Sequence, residues 1–217
     1  MALDPLQERI ARIALALPEA RTLALAGGGA MLAYGLVDRA TKDIDLFTEI
    51  DADEAVRVVA ALRVSLAEEG FLIEAAVRPP HENRFTAVDP RSGGSVAVEV
   101  FPDGGRLRSR TVLDIGPVLH RDDLAADKTL ALWGRAEPRD FVDVVALRDV
   151  YGGPRLLELA AEKDRGFTIG TFIEALRARR RISTQRWQAA GISAARVEEI
   201  ERAAESWCAE LERHDTT

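Results

Sequence analysis

Residues 23–47 read LALAGGGAMLAYGLVDRATKDIDLF, and two patterns in this segment predict the architecture of the chain. In the first, an apolar run of strand length leads directly into Gly27, Gly28 and Gly29, after which helix-forming residues follow. This order predicts a strand, a tight turn and a helix. Glycines allow the backbone to approach a phosphate closely, and the start of a helix offers N–H groups to an anion. A simple packing bend between strand and helix would have the same sequence pattern.

The second pattern is the alternation of acidic and apolar residues from Asp43 to Phe47. Alternate side chains of a strand point to opposite faces, so Asp43 and Asp45 share one face. Two like charges on one strand face repel each other unless a cation lies between them. Mg²⁺ binds to a few carboxylates together with substrate phosphates, and two such ions can serve one phosphoryl transfer. Asp43 and Asp45 are therefore predicted metal ligands, against the alternative of a solvent-facing edge strand.

One further acid is a candidate for the same site. Glu99 is the only acidic residue in the apolar segment from Val96 to Phe101, which has the character of a strand. Such an acid is a third ligand or a general base in a two-metal site, or else it faces the surface. We expect the ligand or base role.

The remaining segments divide the chain into two parts. Strands are predicted at 22–26, 44–47, 71–77, 85–88 and 96–101, and a helix that Asp53 opens is predicted at 54–67. The turn formers at 89–94 suggest a hairpin, so we expect a mixed sheet. Beyond residue 120 only helices are predicted, at 122–135, 138–151, 154–163, 169–180 and 194–212. We therefore predict an α/β domain (residues 1–120), with a mixed sheet flanked by helices, and a helical C-terminal lobe (residues 121–217) that completes the active site.

Composition narrows the class of protein. The formal net charge of -7 argues against a protein that coats nucleic acid non-specifically, because lysine and arginine supply that affinity. The only cysteine, Cys208, permits no intrachain disulfide, no apolar run approaches membrane-spanning length, and the first residues lack the pattern of a signal peptide. We expect a cytoplasmic protein that does not bind a membrane. No P-loop lysine follows the glycines, and Leu32 stands where a Rossmann motif needs its third glycine.

Three charged residues in the C-terminal lobe lie where a helix should be apolar. Lys128 falls in the middle of the apolar face of helix 122–134, where a lysine needs an anionic partner unless it snorkels to the surface. Asp140 and Asp143 belong to a helix that is apolar nearly all round, so both are expected to be buried and paired. Lys128 and Arg139 are their nearest candidate partners by sequence.

Together these motifs resemble the DNA polymerase β-like nucleotidyltransferase superfamily and, within it, the AbiEii-like toxins of type IV toxin–antitoxin systems, which include the MenT type. Residues 25–31 look like the Gly-Gly turn of the family, although Gly29 stands where serine or threonine is usual. Residues 39–47 look like its Arg-x-Ser/Thr-x-Asp-hydrophobic-Asp segment. The helix that carries Lys128 and the Arg-Asp-x-x-Asp pattern at 139–143 look like its two later motifs. The resemblance implies a nucleotidyltransferase-type mixed sheet.

The resemblance also implies a reaction and the residues that perform it. The reaction is magnesium-dependent transfer of nucleotides from a nucleoside triphosphate to RNA, with the 3′ end of tRNA as the expected acceptor, which would block translation. The implied triphosphate contacts are Gly27, Gly28, Gly29, Arg39, Thr41 and Lys128, and two Mg²⁺ ions would bind to Asp43 and Asp45. Asp140, with Glu99, would orient the lysine or help to deprotonate the acceptor. A cognate antitoxin is a further candidate partner.

A dense basic run near the C-terminus is the predicted RNA-binding surface. Arginines bind phosphates and an aromatic ring stacks on a base, so the predicted RNA contacts are Arg179, Arg180, Arg181 and Arg186, with Arg177 and Trp187 beside them. A solvated helix face would have the same composition.

Two alternative functions fit parts of the sequence. One is a nucleotidyltransferase that modifies a small molecule such as an antibiotic, which would need an acidic acceptor pocket; the arginine-rich lobe speaks against it. The other is a degenerate, non-catalytic nucleotidyltransferase fold that serves as a binding module. Retention of Asp43, Asp45 and Lys128 argues against that loss of activity.

Overall fold

The computed structural model describes residues 3–18, 21–49, 52–75, 83–102 and 105–215, with the backbone alone at 52–54 and 214–215. The chain divides into two compact units, unit 1 (Met1–Leu124) and unit 2 (Ala125–Thr217). The division falls inside helix α4 (Arg121–Arg135), whereas the sequence places the boundary before that helix. The first turn of α4 is tied to unit 1 because the buried Asp123 carboxylate accepts two backbone N–H groups, from Leu107 and Arg108, at 2.7 and 2.9 Å.

The strands of unit 1 form a mixed sheet, as the sequence predicted. They are β1 (Ala24–Leu25), β2 (Asp43–Thr48), β3 (Leu72–Ala75), β4 (Arg84–Val88), β5 (Ser95–Pro102), β6 (Thr111–Leu113) and β7 (Gly116–Val118). Among the described residues they make one seven-stranded sheet in the order β3-β4-β5-β2-β1-β7-β6. The pairs β2–β5 and β1–β7 are parallel, and the other neighbouring strands are antiparallel.

The helices of unit 1 that precede α4 are α1 (Pro5–Ala16), α2 (Gly27–Ala33) and α3 (Ala52–Glu68). Helix α1 begins with a capping box, in which the Asp4 carboxylate accepts the backbone N–H groups of Leu6 and Gln7. Its apolar side faces the core, where Ile10 and Ala14 are fully buried. Both α1 and α3 pack against the sheet and against each other.

Burial alternates along the two central strands of this sheet. On β2 the side chains of Ile44 and Leu46 are buried, whereas those of Asp43 and Asp45 are half-buried. On β5 the same alternation buries Val96, Val98 and Val100 and leaves Ala97 and Glu99 half-buried. One face of the sheet therefore belongs to the apolar core, and the opposite face carries the acids.

The strands predicted from sequence are present, with small shifts of their ends. The strand predicted at 71–77 is observed at 72–75, and residues 76 and 77 lie outside the described part of the chain; the side chain of Asp53 lies outside it as well. The hairpin of β6 and β7 was not predicted, because each strand has only three residues and Pro117 interrupts the second.

Unit 2 is helical, as predicted. After α4 it contains α5 (Pro138–Tyr151), α6 (Gly153–Lys163), α7 (Ile169–Ala178), a 3₁₀ turn at Arg179–Arg181, α8 (Thr184–Ala189) and α9 (Ala194–Asp215). Phe172 packs edge-on against Trp207 with 5.0 Å between ring centroids, which joins α7 to α9. The short helix α8 was not predicted. Among the described helices, none is both long and apolar enough to cross a membrane.

Candidate active site

The glycine turn lies against side chains of the acidic segment. Gly27 has φ +56°, and a Cβ atom added there would fall 1.8 Å from Oδ2 of Asp45. A Cβ atom at Gly28 would fall 2.6 Å from Oγ1 of Thr41 and 3.6 Å from a guanidinium nitrogen of Arg39. Neither position can take a side chain unless the facing residues move. The turn, Arg39, Thr41 and Asp45 therefore meet at one place.

Gly29, the third glycine of the turn, faces the opposite way. A Cβ atom there would lie 3.0 Å from Cδ1 of Leu25, on the buried strand β1. A side chain at this position would require the Leu25 side chain to shift by a few tenths of an ångström. The tight packing on Leu25 is a local physical reason for glycine where the family usually has serine or threonine.

Asp43 and Asp45 project from the same face of β2, and their neighbours hold them in place. The Thr41 hydroxyl donates a hydrogen bond of 2.9 Å to Oδ1 of Asp43. Thr41 is itself buried, and its carbonyl oxygen accepts a 2.9 Å hydrogen bond from Nε2 of Gln7 on α1. A chain of contacts therefore runs from α1 to the Asp43 carboxylate, so that its position depends on the packing of the unit.

Glu99 lies beside the acid pair because of the strand register. Glu99 on β5 is the partner of Asp45 in the parallel ladder, and partners across a ladder project from the same face. On its other side Glu99 faces Arg84 of β4, whose guanidinium lies 3.5 Å from the carboxylate. No sequence pattern singles out Arg84, because its position beside Glu99 depends on the pairing of two strands.

The carboxylates on β2 suit Mg²⁺ as part of a site that substrate phosphates would complete. In the described part of the chain, no group of three or more His, Cys, Asp and Glu side chains is arranged to hold a metal ion. Mg²⁺ does not need such a cage, because it usually takes one or two carboxylates together with water and phosphate oxygens. Asp43 and Asp45 offer two such carboxylates, and because Gly27 has no side chain, the Asp45 carboxylate lies directly against the backbone of the turn.

Unit 2 holds the remaining candidates. Lys128 is the partner of one acid, as the sequence suggested, whereas the partner of the other acid is Arg135 and not Arg139. The Lys128 ammonium lies 2.9 Å from Oδ2 of Asp143, and both side chains are largely buried. Asp140, only 1% exposed, accepts two hydrogen bonds from the Arg135 guanidinium, at 2.9 and 2.8 Å, and a third from the backbone of Glu137. The residue that orients the lysine is therefore Asp143, and our expectation that Asp140 would do so is corrected.

The predicted RNA-binding arginines do not form a free basic surface. Arg179 is only 3% exposed, and it donates a hydrogen bond of 2.9 Å to the carbonyl oxygen of Leu176. Other arginines of the run are exposed but paired with glutamates: Arg177 with Glu174 and Glu212, Arg180 with Glu205, and Arg186 with Glu137.

The prediction of an RNA-binding surface was therefore wrong for two residues. Arg179 and Trp187 are buried and cannot contact RNA in this structure; Trp187 packs against Phe141 in the core of unit 2. Glu205 and Glu212 of α9 also neutralise part of the run. Arg181 is exposed.

Comparison with solved structures supports the same fold. A nucleotidyltransferase structure from H. pylori matches with 15% sequence identity and a TM-score of 0.58, over 95% of each chain. The MenT4 nucleotidyltransferase toxin of Mycobacterium tuberculosis matches with 18% identity and a TM-score of 0.63, over 96% of this chain and 86% of that one. At these identities the likeness shows the fold alone. A comparison with curated protein sequences finds no significant match.

A family model extends the agreement to the sequence. The model described as "Nucleotidyl transferase AbiEii toxin, Type IV TA system" matches residues 10–216, which is nearly the whole chain. The resemblance inferred from the glycine turn, the acidic segment and the two later motifs is confirmed. The chain therefore belongs to the AbiEii family of nucleotidyltransferase toxins of type IV toxin–antitoxin systems.

Proposed function

We propose that this protein transfers nucleotides from a nucleoside triphosphate to RNA in a magnesium-dependent reaction, with the 3′ end of tRNA as the acceptor, and so blocks translation. The observation that carries the proposal is the geometry around β2: Asp43 and Asp45 share one face, and the backbone of Gly27 lies against Asp45. A nucleotidyltransferase needs carboxylates for metal ions beside a place where phosphates approach closely.

Asp43 and Asp45 would hold two Mg²⁺ ions, which when bound supply positive charge at the triphosphate and the leaving pyrophosphate. The glycine turn and Arg39 would bind the phosphates. Thr41 keeps Oδ1 of Asp43 in position through its 2.9 Å hydrogen bond. Catalysis of this kind depends mainly on positioning and on electrostatic stabilisation, which such fixed contacts provide.

In the transfer itself, a hydroxyl oxygen of the acceptor forms a bond to the α-phosphorus, and the bond from that phosphorus to the α–β bridging oxygen breaks. Pyrophosphate leaves with the electron pair of the broken bond. The proton of the attacking hydroxyl passes to a carboxylate, and we assign this role to Glu99 because it is in register with Asp45. Arg84, 3.5 Å from Glu99, would hold that carboxylate in place.

Lys128 and Asp140 remain predicted members of the catalytic set. Lys128 would neutralise charge on the triphosphate, with Asp143 fixing its ammonium group. If so, Lys128→Ala should raise the KM for the triphosphate. Asp140 is held by Arg135 and by the backbone of Glu137, so its contribution would come through the placement of α5.

The decisive experiment incubates the pure protein with total RNA and with each α-labelled nucleoside triphosphate in turn, in the presence of Mg²⁺. We expect that at least one of the labelled triphosphates transfers its label to an RNA of the size of tRNA. Asp43→Ala should abolish the transfer and leave the fold intact, whereas Glu74→Ala, which removes an exposed acid from β3, should transfer normally. Transfer by Asp43→Ala would refute the assignment, and label in a small-molecule fraction instead of RNA would favour the antibiotic-modifying alternative.

The family also implies a cognate antitoxin as a partner. Co-expression of the protein with the product of a neighbouring gene should suppress the transfer if that product is the antitoxin.

A further inference from the structure

Three arginines converge on one cavity of unit 2. The cavity has a volume of about 360 Å³, and the charged side chains that line it are Arg135, Arg139, Arg186, Glu137 and Asp140. We call Arg135, Arg139 and Arg186 the arginine pocket. Three guanidinium groups against two carboxylates leave an excess positive charge, in a protein whose net charge is -7.

The local fold explains why these residues meet. Arg135 ends α4 and Arg139 lies in the first turn of α5. Between them Ala136 has φ +49°, the left-handed conformation that makes this turn tight. Arg186 comes from α8, and its guanidinium reaches Glu137 at the start of α5 with a 2.7 Å contact.

The three arginines differ in how firmly they are held. Arg135 is locked on Asp140 by two hydrogen bonds. Arg186 forms an exposed ion pair with Glu137, of the kind that contributes little and is readily exchanged for a stronger anion. Arg139 is half-buried, and within the described part of the chain no hydrogen-bond or ion-pair partner accounts for it. Glu137 and Asp140 pair with the other two arginines, so a half-buried Arg139 is left for an added anion to bind.

We propose that the arginine pocket binds a phosphate of the acceptor RNA. Guanidinium groups bind phosphate oxygens in a bidentate manner, and several converging on one cavity suit a phosphate better than a single carboxylate. The inference rests on the proposed function, which assigns the triphosphate to the glycine turn and the β2 acids. RNA has a phosphate at every nucleotide and is therefore the substrate with phosphates left to be bound. The pocket takes the place of the surface predicted around Arg179, and it retains Arg186 from that prediction.

The test measures binding of unfractionated tRNA to the full chain over a series of salt concentrations, and binding of a nucleoside triphosphate in parallel. Arg139→Gln should weaken tRNA binding about fivefold to tenfold and should lower the slope of log K against log salt by about 0.7 to 0.9, since one phosphate contact is lost. Triphosphate affinity should not change. Arg196→Gln is the matched control, because it removes an exposed arginine of unit 2 outside the pocket and should leave both affinity and slope unchanged.

A second variant keeps all three arginines. Ala189 is an exposed residue that lines the same cavity, and Ala189→Glu places a carboxylate there. It should weaken tRNA binding at least as much as Arg139→Gln. Wild-type tRNA affinity and slope in both variants would overturn the proposal, and a loss of triphosphate affinity instead would reassign the pocket to the nucleotide. If the wild-type protein labels RNA and both variants bind tRNA as the wild type does, only the role of the arginine pocket is refuted. If the wild-type protein neither binds nor labels RNA, the proposed function is refuted as well.

Discussion

Gly27→Ala tests most directly whether the glycine turn and the acid pair form one site. The added Cβ would lie 1.8 Å from Oδ2 of Asp45, whereas real Cβ contacts are essentially never shorter than 3.0 Å. The carboxylate must therefore move by about 1.2 Å, or the turn must move by as much. A misplacement of roughly 1 Å in a catalytic group can cost about 100-fold in rate. We expect a loss of transfer of that order.

The stability of the variant separates the steric effect from the backbone effect. Gly27 has φ +56°, and an L-residue in the left-handed region costs about 1 to 2 kcal/mol. Overpacking against Asp45 should add about 1 to 3 kcal/mol. Gly35 is the matched control, because it has φ +67° but nothing within 4 Å of its added Cβ. Gly35→Ala should lose only the backbone cost, measured as the free energy of unfolding in urea, and should keep its transfer activity.

A double-mutant cycle of Gly27→Ala and Asp45→Ala tests whether the two residues clash directly. Asp45→Ala removes the two atoms of Asp45 that come closest to the added Cβ and leaves only its own Cβ, at 2.9 Å. Gly27→Ala combined with Asp45→Ala should therefore recover most of the steric part of the lost stability, yet remain inactive because the carboxylate is gone. Normal transfer by Gly27→Ala, or a double variant that is no more stable than Gly27→Ala, would refute the reasoning.

Three further predictions concern Thr41, the ion pair of Lys128 and Asp143, and Cys208. Thr41→Val removes the hydrogen bond to Asp43 at nearly constant side-chain volume, so the transfer rate should fall about tenfold while the free energy of unfolding changes by about 1 kcal/mol. Thr41→Ser keeps the hydroxyl and should keep wild-type activity. Equal transfer rates for the two variants would contradict a positioning role. Asp143→Ala leaves the largely buried Lys128 ammonium without its carboxylate, so the free energy of unfolding, measured by urea titration, should drop by about 3 kcal/mol or more. The double variant Lys128→Met with Asp143→Leu replaces both charges and should recover most of the lost stability. Burial raises the pKa of the Cys208 thiol, so at neutral pH it should react slowly with a disulfide reagent until denaturant is added; rapid reaction of the native protein would contradict its burial.

The parts of the fold that could be predicted are those that local backbone geometry determines. The positions of Asp43 and Asp45 on one face follow from the two-residue period of a strand, and β2 buries Ile44 and Leu46 accordingly. Glu99 could be named as a candidate but not placed, because its register with Asp45 depends on how two strands 50 or so residues apart pair. Arg84 was not predicted as a neighbour of Glu99 for the same reason. The β6–β7 hairpin was missed because strands of three residues carry almost no periodic signal.

Charged side chains in the helical unit were harder to interpret, because the role of each one depends on the residue that it pairs with, and that residue can be distant in sequence. The arginine run was predicted to face solvent or RNA, but Arg179 is buried. Arg180 and Arg186 are exposed, and they pair with Glu205 of α9 and with Glu137, some fifty residues before Arg186. The same principle divides the two acids of the Arg-Asp-x-x-Asp pattern. Three residues apart on α5, they face α4 at two points, so that Asp140 takes Arg135 while Asp143 takes Lys128. One acid therefore stabilises the turn that builds the arginine pocket, and the other fixes the lysine, so mutating either should impair a different step.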